Sequence, residues 1–317
     1  MQNSEETAKH VSSCLQLAIL LEVSAPKPGN VNRTAGFSDT RHEHFLASAV
    51  AVEPAFARAA ERGVLAGEGK VELDEIGIGR TVKEAVANVK LWQRGGNTLL
   101  GTVLLLSPIA AAAGMTLARD KEFSLRELRD SIRPIVESTT PTDAVKVYEA
   151  IGIANPNGLI DKAPKLDVND PDSRRRIMKE AITLFDIFKI SASYDAISKE
   201  WVENYPITFD FGLPYLTQQL EQEATLDTAV VHTFISVLAQ FPDTLIARKA
   251  GWDKAKEISD KAKETLSQGG LVTPAGRERL STLDKELRTR GNQLNPGTTA
   301  DIVAAVLAVS ILSGYRP

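Results

Sequence analysis

The sequence predicts an all-α protein that folds as a single domain over residues 1–317. Three observations support this prediction: Ala, Leu, Glu and Lys are abundant, aromatic residues make up only 6% of the chain, and alternating, strand-like patterns are scarce. Helix starts recur along the whole chain, and we expect ten to twelve helices. Since no repeat of 20–50 residues and no shift in composition appears, we expect no second domain.

Composition also argues against several classes of protein. The 317 residues carry 37 Lys and Arg against 41 Asp and Glu, a formal net charge of −4, so the positive surface of a duplex-binding protein is missing. Cys14 is the only cysteine, which excludes an intrachain disulfide and favours a reducing cytoplasm. The polar N-terminus is unlike a signal peptide, and the apolar stretches 102–113 and 302–312 are shorter than the ~20 residues of a membrane span. We therefore predict a cytoplasmic protein with neither membrane nor nucleic-acid partners.

The helices of the first third can be placed from their apolar faces. The first helix ends near Ser24, and its apolar face consists of Leu15, Ala18, Ile19 and Val23. A second helix includes the apolar run 47–57, which Glu53 interrupts. The third apolar helix follows the glycine-rich segment 95–101.

Later helices are predicted from their capping residues. The segment Thr140-Pro141-Thr142-Asp143 is close to a capping box with proline at the first helical position. Asp170-Pro171-Asp172 starts another helix, which we expect to continue through Phe188, and 295–297 starts the last helix, which runs to about Leu312. Between the helices, the stretches 25–39, 155–172 and 268–276 are predicted to be irregular.

The segment 22–32 is the first candidate site. Two prolines stiffen it and Gly29 permits a tight turn, so it could hold Lys27 and backbone N–H groups in fixed positions for an anion. The alternative is a Pro-Gly turn that ends a helix beside a solvated lysine.

Two further candidates lie at helix starts. Glycines in 95–101 could leave N–H groups free for a phosphate, although Gly101 could equally serve close helix packing. In segment 294–301, hydroxyls and the Asp301 carboxylate crowd the start of the last helix, where an acid also stabilises the helix dipole.

Charged residues supply the last candidates. Arg248 and Lys249 follow an apolar turn and could bind a polyphosphate, or simply form a cationic helix end. Glu53 lies in an apolar run, so its carboxylate needs a partner, either a basic side chain or Mg²⁺.

Taken together, these motifs resemble those of the triphosphoribosyl-dephospho-CoA synthase family, over nearly the whole chain. The marks are Glu22 with segment 26–31, segment 37–40 with Ser48, Asn97 and Thr98 with Gly101, segment 242–245 with Arg248, and segment 296–301. The resemblance implies an all-helical fold, ATP as a substrate and free adenine as a product.

Two positions depart from the family pattern. Leu99 and Leu100 stand where the bacterial pattern has His and Lys, and Asn32 stands where it has Asp. These departures predict a divergent branch whose acceptor is not necessarily dephospho-CoA.

In the implied reaction, a hydroxyl of the acceptor attacks C1′ of the ATP ribose and adenine leaves. We predict that Mg²⁺ bridges the phosphates to carboxylates, with Glu22, Glu53, Asp143 and Asp301 as its candidate ligands. Asp39 is the predicted general base and Asp143 the alternative, with Glu22 as a further catalytic candidate. The predicted substrate-binding residues are Lys27, Gly29, Asn30, Gly96, Asn97, Thr98, Arg248, Lys249, Asn295, Gly297 and Thr298.

Two alternatives to this activity stay open. One is transfer of a related phosphoribosyl-type group to another cofactor precursor, and the other is a nucleotide-binding regulator or scaffold without turnover. The apolar helices could also pair between chains, so a homo-oligomer is possible in either case.

Overall fold

A computed structural model describes residues 4–119, 123–155, 166–222 and 225–317. Within these ranges the protein is helical, without a strand beyond the isolated bridge between Asn32 and Ala35, which confirms the predicted all-α class. A 3-10 turn at Leu73–Glu75 and a π-helical segment at Ile207–Gly212 accompany the α-helices. The α-helices are α1 Ser4–Ser24, α2 His42–Gly67, α3 Ile78–Trp92, α4 Leu100–Arg119, α5 Leu125–Glu137, α6 Pro141–Ala154, α7 Pro171–Lys179, α8 Leu184–Ser191, α9 Ala196–Val202, α10 Leu213–Glu221, α11 Leu226–Gln240, α12 Thr244–Ala250, α13 Trp252–Ser267, α14 Pro274–Arg288 and α15 Gly297–Leu312.

The described ranges thus contain fifteen α-helices, and the predicted number of ten to twelve was wrong. The helix expected from Pro171 through Phe188 shows the reason. It ends at Lys179, Ala181 adopts a left-handed φ of +52°, and Thr183 caps a new helix through a reciprocal capping box with Asp186. Short capped helices of this kind share one apolar face, so periodicity alone joins them into a longer helix.

Other predicted helix ends are confirmed. Thr140 caps α6, Pro141 occupies its first position and Asp143 completes the capping box. The last helix covers Gly297–Leu312 as expected. Of the predicted irregular stretch 155–172, residues 156–165 lie outside the described part of the chain.

Helices α4 and α15 form the centre of the core because nearly all of their faces are apolar and buried. Helix α4 packs closely against α2, where Gly63 and Gly114 bring the two backbones together. A Cβ at Gly63 would lie 1.9 Å from the Ala111 carbonyl oxygen, and one at Gly114 would lie 2.0 Å from that of Ala60. Any side chain at either position would therefore force the two helices apart.

By length and composition, α4 is also the one described helix that could cross a membrane, counting unbroken helices. In the fold, however, 89% of its apolar window is buried inside the protein. The core helix of a soluble protein has the same composition, so this finding is weak evidence for a membrane span.

The irregular stretch after α1 is held against the C-terminal third of the chain. The Gly29 N–H donates to Asp284 Oδ1 at 2.8 Å, and Asn30 Nδ2 donates to Asn295 Oδ1 at 2.8 Å. Arg288 Nη2 also donates to the Asn30 carbonyl oxygen at 2.6 Å. These bonds place the end of α1 beside the start of α15, where the main cavity opens.

Candidate active site

A cavity of about 590 Å³ opens between the ends of α1, α4, α12 and α15 on one side and α6, α8 and α9 on the other. This volume is within the range of ligand sites in proteins. Four of the candidate segments, which are distant in sequence, converge on it. The predicted residues that line it are Glu22, Asn30, Asp39, Asn97, Thr98, Arg248, Lys249, Asn295, Gly297, Thr298 and Asp301.

Asp301 projects from the first turns of α15 toward the start of α4. Its Oδ1 accepts a hydrogen bond from Thr102 Oγ1 at 2.5 Å, and its Oδ2 lies against Gly101, where a Cβ would be only 2.0 Å away. Burial, with the nearby Glu22 and Asp243 carboxylates adding to it, raises the pKa of Asp301 to about 8. Because Gly101 has no side chain, α4 can lie directly against this carboxyl group of α15. This is the close packing between helices that the sequence offered as one role for that glycine.

Glu22 lines the cavity from the last turns of α1, and Lys27 lies behind it with no exposed surface. Lys27 Nζ is 3.0 Å from Glu22 Oε1 and also donates to the backbone oxygens of Glu22 and Ala25. Burial drives the pKa of Glu22 up and the pKa of Lys27 down, and the ion pair opposes both shifts. The positive charge of Lys27 is thus committed to Glu22 and does not face the cavity.

Asp243 is a buried residue whose importance sequence reasoning missed. Its Oδ1 accepts from the N–H groups of Leu245 and Ile246, at 2.9 and 3.0 Å, and caps α12. Its Oδ2 accepts from the N–H and Oγ1 of Thr299, at 2.7 and 2.8 Å. One carboxylate therefore fixes the start of α12 to the start of α15. The sequence carried only the signal of an N-cap, because Thr299 is 56 residues away.

Asp39 lies at the rim of the cavity and is partly exposed. Asn292 Nδ2 donates to its Oδ2 at 3.0 Å, and the Gly96 N–H donates to its backbone oxygen at 3.0 Å. Asn292, which also lines the cavity, was not predicted from the sequence. The carboxylate is therefore oriented toward the cavity by an amide from the loop between α14 and α15.

Two cations line the described part of the cavity, and both were predicted. Arg248 is partly exposed, and its Nη1 is 3.9 Å from Asp195 Oδ1, a loose ion pair. Lys249 Nζ donates to the Asn292 carbonyl oxygen at 3.0 Å, and burial lowers the pKa of Lys249. The buried Asp301 carboxyl, which keeps its proton at neutral pH, is one of five acidic side chains that line the described part of this cavity. The five are Glu22, Asp39, Asp167, Asp195 and Asp301.

Several predicted residues do not reach this cavity. The Asp143 carboxylate accepts from the Gly79 N–H at 2.8 Å and from Thr140, and so is used in capping α6. Glu53, expected to meet a basic side chain or Mg²⁺, accepts from Ser12 Oγ at 2.8 Å instead. Gly29 contacts α14, and Lys27 lies behind Glu22, as described above.

The backbone N–H groups expected to bind phosphate are also engaged. The Gly96 N–H donates to Asp39, and the Gly297 N–H donates to the Asn295 carbonyl oxygen at 2.8 Å. Among the residues that the structure describes, no group of three or more His, Cys, Asp and Glu side chains forms a ready metal site.

A second, smaller cavity of about 260 Å³ adjoins the first. Gly96 lines it, together with residues from the ends of α3 and α6 and the start of α4. Asp39, Asn97 and Leu100 line both cavities.

Comparison with known proteins agrees with the predicted resemblance. The model of the CitG family, described as ATP:dephospho-CoA triphosphoribosyl transferase, matches residues 8–317. A protein of Malonomonas rubra described as a probable 2-(5''-triphosphoribosyl)-3'-dephosphocoenzyme-A synthase is 24% identical over 309 residues, which cover 96% of this chain and 87% of that protein.

A solved structure supports the fold. The crystal structure of an Archaeoglobus fulgidus protein, assigned as a triphosphoribosyl-dephospho-coA synthase, matches with a TM-score of 0.63 and 24% identity. The match covers 86% of this chain and all of that one. Since the family model spans almost the whole sequence, the chain belongs to the ATP:dephospho-CoA triphosphoribosyl transferase family.

Proposed function

We propose that this protein transfers the triphosphoribosyl group of ATP to a hydroxyl of 3′-dephospho-CoA and releases adenine. In this step the acceptor oxygen bonds to C1′ of the ATP ribose while the C1′–N9 bond breaks. The hydroxyl loses its proton, and adenine departs with the bonding electrons and takes up a proton. The observation that carries the proposal is the convergence of Glu22, Asp39 and Asp301 with two cations in one cavity of ligand size.

We propose that Asp39 is the general base that accepts the proton of the acceptor hydroxyl. It is the partly exposed carboxylate at the rim, and Asn292 orients it through a hydrogen bond of 3.0 Å. A general base must be within hydrogen-bond reach of its proton, which a rim carboxylate between two cavities can achieve. Asp143, the alternative base, is used in capping α6 and is not carried into the proposal.

Arg248 and Lys249 would bind the triphosphate, which remains on the transferred sugar. Among the residues that the structure describes, these two are the cations of the cavity, and two positive charges do not balance the charge of a triphosphate. Asn30, Asn97 and Thr98 line the cavity and stay the predicted contacts of the ribose or the base.

Mg²⁺ fits this deficit of positive charge. Glu22 and Asp301 are the ligands we propose, because both carboxyl groups are buried at the cavity and Glu22 is close enough to raise the pKa of Asp301. Glu22 Oε1 also receives no well-directed hydrogen bond, although Lys27 Nζ is 3.0 Å away. Magnesium typically binds one or two carboxylates and the phosphates of its substrate, and it would neutralise triphosphate charge here.

The proposal is tested by incubating the protein with ATP, Mg²⁺ and 3′-dephospho-CoA and separating the products by chromatography and mass spectrometry. Free adenine and an acceptor heavier by a triphosphoribosyl group are the expected products. ADP in place of adenine would indicate a kinase, and ATP binding without any product would indicate a regulator. Either result would overturn the proposed activity.

The assignment of Asp39 has its own test. Asp39→Asn keeps the shape of the side chain but removes the base, so turnover should be lost while ATP binding, measured by calorimetry, persists. Undiminished turnover would exclude Asp39 as the base. Asp260→Asn, an exposed substitution on α13, is the matched control and should be fully active.

A further inference from the structure

The two adjoining cavities offer separate places for two reactants. The larger one is lined by both cations and by the proposed magnesium ligands, whereas the smaller one lacks them. The donor C1′ and the acceptor hydroxyl must meet at one point for the transfer to occur. Asp39, Asn97 and Leu100 line both cavities and so mark where such a meeting point would lie.

The smaller cavity is suited to a fragment of a ligand. Its volume of about 260 Å³ is below the ~300–1,000 Å³ of sites that enclose a whole drug-sized ligand. Its walls combine apolar side chains with a polar strip, a lining that suits a flat base attached to a sugar. The apolar residues are Val86, Val89, Leu99, Leu100, Val103, Ile153 and Ala154, and the polar strip consists of Gln93, Asn97, Asn155 and the backbone of Gly95 and Gly96.

A cation lies beside this cavity. Lys90, in the last turn of α3, lines it and is exposed to solvent. In the part of the chain that the structure describes, Lys90 has neither an ion pair nor a hydrogen bond from its side chain. An unpaired lysine at the edge of a small, partly apolar pocket is suited to a phosphate attached to the buried fragment.

We propose that the smaller cavity binds the nucleoside end of the acceptor, so that its ribose hydroxyl faces Asp39 while its diphosphate contacts Lys90. ATP then occupies the larger cavity. Leu100 and Asn97 lie between the two nucleotides, which meet only where the transfer occurs. This inference rests on the proposed function, since it assigns a place to the second substrate of that reaction. The nucleoside end must be the inserted part because it carries the ribose hydroxyls.

Filling the smaller cavity tests the inference. Ile153 is partly exposed on α6 and lines only the smaller cavity, so Ile153→Trp should block it without disturbing the core. We expect the KM for 3′-dephospho-CoA to rise about tenfold or more, with the KM for ATP changed less than about twofold. An unchanged acceptor KM, or a rise in the ATP KM instead, would overturn the assignment.

Ile190→Trp is the matched control, because Ile190 lines only the larger cavity and is also partly exposed. An acceptor-selective loss in this variant as well would refute a separate acceptor subsite. Circular dichroism and thermal unfolding verify that both variants are folded.

Substitutions of Lys90 provide an independent test of the same inference. Lys90→Ala should raise the acceptor KM about fivefold to tenfold, Lys90→Arg should restore most of it, and Lys263→Ala, an exposed lysine on α13, should have no effect. Equal acceptor KM values for wild type and Lys90→Ala would contradict the diphosphate contact.

A measurement of acceptor binding tests this inference independently of the proposed reaction. In calorimetry with 3′-dephospho-CoA, wild type should bind and Ile153→Trp should bind at least about tenfold more weakly, whether or not adenine is ever released. Equal affinities would overturn the subsite, whereas a missing product with intact, Ile153-dependent binding would overturn only the transferase activity.

Discussion

Replacing Asp301 by Asn should change how the stability of this protein depends on pH. The asparagine side chain has the same shape and can still accept the hydrogen bond from Thr102 Oγ1, but it cannot ionise. In the wild type, burial and two nearby carboxylates raise the pKa of Asp301 to about 8, far above the value of an unfolded chain. Between these two values the folded protein holds a proton that the unfolded chain has released. Stability therefore falls as the pH rises through this range.

The size of the effect follows from proton linkage. One proton contributes about 1.36 kcal/mol per pH unit, so raising the pH from 6 to 8 should cost the wild type about 2.5 kcal/mol at this site. With an unfolding entropy of about 2.1 cal/mol/K per residue over 317 residues, this loss lowers Tm by about 4 °C. Glu200, whose pKa burial raises to about 7, contributes to both proteins and so cancels in the difference.

The assay is thermal or urea unfolding of wild type and Asp301→Asn at several pH values from 5.5 to 8.5. EDTA must be present, because a divalent cation bound to the carboxylate would displace the proton. The variant should lose less stability than the wild type on going from pH 6 to pH 8, and Asp260→Asn should behave as the wild type. Parallel curves for wild type and Asp301→Asn would refute the argument that Asp301 is protonated at neutral pH.

Three substitutions test other contacts of the site. Gly101→Ala places a Cβ 2.0 Å from Asp301 Oδ2, so it should cost about 1–3 kcal/mol in urea unfolding and abolish adenine release; a stable, active variant would contradict the packing. Glu22→Gln leaves Lys27 buried without its counter-charge and should cost about 3–5 kcal/mol, of which the double variant with Lys27→Met should recover at least half. If the double variant is no more stable than Glu22→Gln, the buried charge is not the cause. Asp243→Asn leaves a single acceptor for two helix starts and should cost about 1–2 kcal/mol, with faster hydrogen exchange at the first turns of α12 and α15. Exchange confined to one helix would show that Asp243 does not join them.

Local signals in the sequence predicted the parts of the fold that depend on neighbouring residues. The cap of α6 lies within four residues of the helix start, so the chain itself specifies it, whereas the first turn of α15 is bonded by the distant Asp243. The break between α7 and α8 was not predicted, because Ile177, Leu184 and Phe188 continue one apolar face across it. Only the turn at Ala181 and its cap at Thr183 separate the two helices.

For the cavity, the sequence predicted which residues come together better than it predicted what each of them contacts. Eleven of the predicted residues line one cavity, but Lys27, chosen as a phosphate ligand, is paired with Glu22 instead. Whether a lysine faces a cavity or lies behind its wall depends on where the α1 helix ends, which residue type alone does not reveal. Likewise, the role of Asp243 in joining two helices depends on its contact with Thr299, and no local sequence pattern predicts that contact.

The buried charges at this cavity are themselves an argument for ligand binding. Glu22 and Lys27 form a buried ion pair and Asp301 keeps its proton at neutral pH, yet well-packed apolar side chains of similar volume would stabilise the same core at least as well. In the described part of the cavity wall, acidic side chains outnumber basic ones by five to two. A folded chain without a ligand gains nothing from that imbalance, whereas a chain that binds a cation together with a triphosphate converts it into affinity. The distribution of charge therefore predicts that ATP and Mg²⁺ together raise Tm by more than the sum of their separate effects. Additive shifts in a thermal-unfolding titration would show that the carboxylates and the phosphates do not share a metal ion.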